Sequence, residues 1–170
     1  MNTQDIDAVD WSNLSCRNGD ASFVAIELKK LFENPEDEER FNLLWPCLCS
    51  EGTTHSSAFA SAPFLLELSK LTTAHSRFKY LYVLSLFRMC EPLDANHPRH
   101  CPSKYRERYH HSLQLALPLV AELSAADLGN ENFYVLSALA TLKGVSKLAS
   151  CIETIALEDF KCPECQVALA

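Results

Sequence analysis

Glycine is scarce, with 4 in 170 residues. An all-β fold uses glycine at many tight turns, so this count argues against one. No apolar run reaches the roughly 18 residues that a membrane-crossing helix needs. Met1 to Asp10 holds three aspartates and no lysine or arginine, so it does not read as a secretory signal. The cytoplasm is the expected compartment. The sequence also lacks a phosphate-binding glycine loop, a His-Glu-x-x-His pair, a nucleophile elbow and a dinucleotide fingerprint. A nucleophilic pair of Cys101 with a histidine would need a spatial contact that sequence does not supply. The chain therefore reads as a non-enzyme. Its length suits one domain, 1–170, with a real core, since 48% of residues are hydrophobic.

Basic residues are sparse in one region only. Residues 1–51 hold 11 acids and 4 bases, whereas residues 52–170 hold 11 of each, so the whole net charge of −7 comes from the first third. Such a surface repels nucleic acid, whose binding depends on lysine and arginine. It attracts a basic partner and speeds encounter with it, or it simply solubilises the chain.

What is present is repetition. Tyr82-Val83-Leu84-Ser85-Leu86 returns as Tyr134-Val135-Leu136-Ser137-Ala138-Leu139, 52 residues later. A proline-bearing apolar segment precedes each copy, around Pro63 and Pro118. One helical hairpin is used more than once.

Residues 1–19 read as an N-terminal arm, with Trp11 and Leu14 docking. Residues 20–157 read as helical hairpins. Asp20 is expected to cap a first helix ending near Phe32. Asn34-Pro35 reads as the start of a second, with acids in its first turns and Gly52 at its end. Helices follow over 56–71, 76–90, 103–123, 131–143 and 146–157, the sixth capped by Asn130. The fourth is apolar on more than one face and should be central. The prolines of residues 91–102 exclude a helix there. Residues 158–170 form a tail that Pro163 keeps from being helical. With no export signal, the eight cysteines read mostly as core residues, Cys90 and Cys151 among them.

A helix with an internal proline, a short turn and a second apolar helix resembles the HEAT-like repeats of α-solenoids. More narrowly, Leu44-Trp45, the run Leu48-Cys49-Ser50-Glu51-Gly52-Thr53 and the run Ala58-Phe59-Ala60-Ser61-Ala62-Pro63-Phe64-Leu65 look like a group of small bacterial HEAT-like proteins. There a tryptophan helix leads through a Gly-Thr turn into an Ala-rich, proline-bent helix. Many members end in Cys-Pro-x-Cys, as this chain does at Cys162-Pro163-Glu164-Cys165. Glu51 replaces a Gln-like residue of that group, and Gln166 a glycine. The resemblance covers roughly residues 40–170. It implies an all-α fold: a short HEAT-like solenoid of about three hairpins, a C-terminal helix and an irregular tail. Such repeats bind proteins. Compact acidic solenoids also resemble the immunity proteins encoded beside bacterial toxins.

The leading expectation is therefore a cytoplasmic immunity protein that neutralises a basic toxin domain. Glu33, Glu36, Asp37, Glu38 and Glu39 would steer the partner. Trp45 and Trp11 would anchor it if exposed. The alternative is a zinc-binding regulatory or enzymatic protein. Cys162 and Cys165 would form half of a zinc knuckle, and His100 and Cys101, with His97, offer ligand types for the other half. A redox pair and a packing tail are other readings of the same cysteines. His110 and His111, being adjacent on a helix, cannot both join one site. Arg99, Lys104, Arg106 and Arg108, interleaved with Tyr105 and Tyr109, read as a solvated helix start or, less in keeping with the acidity, an RNA contact.

Overall fold

The computed structural model describes residues 3–92, 96, 97, 99–126 and 128–157. Among them are eight α-helices: α1 (Thr3–Asp7), α2 (Ser22–Glu33), α3 (Glu38–Leu48), α4 (Ser56–Lys70), α5 (Ala74–Met89), α6 (Ser103–Leu123), α7 (Asn132–Leu142) and α8 (Ser146–Leu157). Two minimal antiparallel hairpins join them. β1 (Ser15–Cys16) pairs with β2 (Gly19–Asp20), and β3 (Cys49–Ser50) pairs with β4 (Thr53–Thr54). The fold is all-α, as the periodicity implied. No described helix is long and apolar enough to cross a membrane.

Helix ends depart from expectation where a longer-range bond competes with a local one. Asp20 does not begin α2 as its cap. Ala21 holds that position, and the Asp20 carboxylate accepts from the Ser22 amide at 2.5 Å. Asn34-Pro35 does not start α3. Asp37 caps it, accepting from the Arg40 amide at 3.0 Å, while the Pro35 carbonyl accepts from Tyr80 Oη at 2.8 Å. Gly52 does not end that helix. Glu51 and Gly52, with φ of 52° and 68°, make the two-residue turn between β3 and β4. Positive φ at both central residues suits the twist of such a hairpin, and glycine takes it without strain. Asn130 lies in a 3-10 turn (Gly129–Glu131) ahead of α7 rather than capping it.

The helices pack as paired neighbours. α2 packs on α3 and α4, α4 on α5 and α6, α5 on α7, α6 on α7, and α7 on α8. First helices of successive hairpins thus meet one another, and of the second helices α5 meets α7. Phe59 of α4 meets Tyr109 of α6 edge to face at 4.9 Å, and Tyr82 of α5 meets Tyr134 of α7 at 5.4 Å. α4 is buried along almost its whole length, which makes it the centre of the core. It runs unbroken through Pro63, and α6 runs through Pro118. The N-terminal arm docks as expected through Trp11 and Leu14. Of the six described cysteines four are buried and Cys90 is half-buried; Cys151, expected in the core, is exposed on α8.

Candidate functional site

The second helices leave an open groove between α3 and α5. Phe41, Asn42 and Trp45 of α3 line one wall; Phe78, Tyr82, Val83 and Leu86 of α5 line the other, with Lys79 beside them. The spacing of four residues between Phe41 and Trp45, and between Phe78, Tyr82 and Leu86, places each set on one helix face. Phe78 stacks on Tyr82 at 5.6 Å, and Phe41 meets Tyr80 edge to face at 5.0 Å beneath. Trp45 is half-buried and presents part of its ring to the groove.

The groove runs into a polar cleft at the N-terminal ends of the same two helices. Pro35, Glu36, Asp37 and Glu38 lie on one side; Thr73, His75, Ser76 and Tyr80 lie on the other. Phe41 and Lys79 border both spaces. Three of the five expected steering acids, and the expected anchor Trp45, therefore share one face. Glu33 and Glu39 are exposed at the neighbouring ends of α2 and α3.

These acids also hold the fold. The Glu36 carboxylate accepts from the Ser76 hydroxyl and, at 2.7 Å, from the Thr73 amide. Those bonds hold its carboxyl below the ordinary range. Lys79 Nζ donates to Glu38 at 2.6 Å and lowers that carboxyl likewise. Asp37 pairs with Arg40 at 3.4 Å. The groove is fastened at its far end as well. The Thr54 amide donates to the Cys90 carbonyl at 3.3 Å, and Thr54 Oγ1 donates to the Phe87 carbonyl at 3.1 Å. The Cys49 and Cys90 thiols share a hydrogen bond that pushes Cys49 up and Cys90 down.

Trp11 is not an anchor. It is 6% exposed, and its Nε1 donates to the Ile6 carbonyl at 2.8 Å. The α5 wall, by contrast, was missing from the expected site. Its signal was the apolar surplus on more than one face of that helix, which read only as centrality.

The expected zinc ligands divide in two. Cys162 and Cys165 lie outside the described residues. His100 and Cys101 are both engaged within the protein. His100 Nδ1 donates to the Pro92 carbonyl at 3.2 Å, while Arg106 donates to Nε2 at 2.8 Å, so both ring nitrogens are engaged. Cys101 is 1% exposed, and burial pushes its thiol up to about 12. Among the described residues no three His, Cys, Asp or Glu side chains converge as a metal site. His111 is exposed and His110 half-buried against Tyr109. Tyr105 and Tyr109 are buried, so the basic residues around them have no exposed aromatic partner for stacked bases.

Searches against protein-family models, curated proteins and solved structures found no match for this chain.

Proposed function

We propose that this chain is a protein-binding helical-repeat module, a short HEAT-like solenoid whose second helices form the binding face. Its sharpest form is a cytoplasmic immunity protein that neutralises a basic toxin domain. The observation that supports it is the continuity of the apolar Trp45–Tyr82 groove with the carboxylates of Glu36, Asp37 and Glu38. An apolar trough supplies contact area, and a charged rim supplies orientation and rate. With Glu33 and Glu39, five carboxylates stand against the two cations bonded to them, Lys79 and Arg40. The rim therefore stays negative although its members are bonded. Aromatics of this size commonly anchor interfaces.

The test is isolation of the tagged protein from its native host at low salt, with mass spectrometry of whatever is bound stoichiometrically. A single basic companion, toxic when expressed alone, is expected. The reading falls if the protein is recovered alone, or if its companion is acidic and tolerates lysine at Glu36, Glu38 and Glu39.

A further inference from the structure

The α3–α5 groove is open on the side of α5 away from α7 and α8. α5 and α7 carry the repeated Tyr-Val-Leu-Ser stretch and pack directly on one another, whereas α3 and α5 face each other across the groove. Beside α5 and α7 lies α8. It packs along α7, and its Glu153 Oε1 accepts from Ser137 Oγ of α7 at 2.8 Å and from Tyr82 Oη of α5 at 3.1 Å. A helix thus lies on α7 and reaches across to α5 through one hydrogen bond. The α3–α5 groove has no helix across it among the described residues, and its walls include Phe41, Trp45, Phe78, Tyr82 and Leu86.

We propose that the occupant of the α3–α5 groove is an amphipathic helix of a partner protein. It carries an apolar stripe for Trp45 and Leu86. It carries lysine or arginine at the end that meets Glu36, Asp37 and Glu38. This deepens the protein-binding reading and rests on it.

Three observations carry the choice. Tyr82 serves both sides of α5: its hydroxyl faces α8, and its ring lines the open groove. The two walls present large apolar side chains at intervals of three, four or five residues, the pattern that an amphipathic helix interdigitates with. Charge sets the polarity of the occupant. α8 offers a carboxylate to α5 and α7, whereas the open groove ends in carboxylates of its own and calls for cations. α3 spans about 16 Å at the usual rise per residue, room for roughly three turns of bound helix.

The experiment uses the full chain and three synthetic peptides of about 15 residues. One is a basic amphipathic helix with leucine at positions i, i+3, i+4 and i+7. The second has the same composition in scrambled order. The third keeps the apolar stripe but replaces lysine with glutamate. Affinity is followed by titration calorimetry, and the footprint by amide hydrogen exchange. The basic amphipathic peptide is expected to bind at least about tenfold tighter than either control and to protect α3 and α5. Trp45→Ala should weaken it by about tenfold or more. Asn42→Arg, at an exposed groove position that leaves the core untouched, should weaken it too, by repulsion and obstruction. Equal binding of the scrambled peptide, protection elsewhere, or indifference to both substitutions would overturn the proposal. A stoichiometric basic companion that survives Trp45→Ala and Asn42→Arg would also overturn it, while leaving the protein-binding reading in place. Recovery of the protein alone would instead remove that reading itself.

Discussion

Tyr82 and Tyr134, equivalent residues of two repeats, touch each other edge to face at 5.4 Å, and one of them, Tyr82, also donates to Glu153 at 3.1 Å. The sequence repeat therefore joins two turns of the fold at their shared position. Tyr82→Phe keeps the ring and removes one hydrogen bond to a carboxylate that retains Ser137. It should cost about 1–2 kcal/mol, read from urea unfolding. Glu153→Ala removes the acceptor for both hydroxyls and should cost more. Equal and negligible costs would mean that α8 is held by apolar contact alone.

Glu27 is the most buried acid described, at 2% exposure. Burial pushes its carboxyl up, but hydrogen bonds from Lys30 at 2.8 Å and Arg40 at 3.0 Å outweigh that and hold it below the ordinary value. A carboxyl lowered on folding stabilises the fold above its unfolded pKa of about 4.5, and that contribution is lost as pH falls through the folded value. Glu27→Gln should cost about 1–3 kcal/mol at pH 7 and flatten the acid limb of the stability curve. Denaturant titrations between pH 3 and pH 7 check both.

His55 behaves in the opposite chemical sense. Burial first, then the charges of Arg99 and Arg17, depress its pKa below 6.5. It is 4% exposed, and its Nδ1 has no partner. The unfolded chain takes up the proton more readily than the folded one does. Stability is therefore complete above about pH 6.5 and falls as pH drops through the lower folded value. His55→Gln should remove this slope between pH 5 and pH 7 in urea midpoints, while the slope due to Glu27 persists.

Gly52 sits at φ 68° with open space around its missing Cβ. Gly52→Ala should cost about 1 kcal/mol in thermal unfolding, through backbone strain rather than a clash. A larger loss would mean that the β3–β4 turn carries contacts beyond its own geometry.

Glu39→Lys and Glu33→Lys should leave the melting temperature within a few degrees, because both side chains are exposed. With a basic partner they should slow association several-fold and flatten its salt dependence, with little change in dissociation. Stopped-flow mixing at two ionic strengths separates the rates.

Much of this was legible in the order of residues. Apolar spacing located every long helix, because a face that meets a core repeats every three to four residues. The acidic run and Trp45 were visible for the same local reason. What escaped was long-range choice. Asn34, Pro35 and Asp37 all suit a helix start, and the outcome turned on Tyr80 reaching back to the Pro35 carbonyl and on Glu36 reaching Thr73 and Ser76. Glu153 carries no local mark of its role, since its partner Tyr82 lies 71 residues away. The α5 wall was hidden because a helix apolar on several faces does not reveal which face stays open. Cys151 was misplaced for a related reason: a small thiol in an apolar helix suits either side.

The groove between α3 and α5 is tied at both ends, by Glu36 and Glu38 at one and by Thr54, Cys49 and Cys90 at the other. These bonds oppose a spreading of its walls. A slot held in this way spends little entropy on closing, and complexes made in it should form in one kinetic step and release slowly. For a partner helix of the kind proposed, the same bonds would make fit rather than adjustment the source of discrimination.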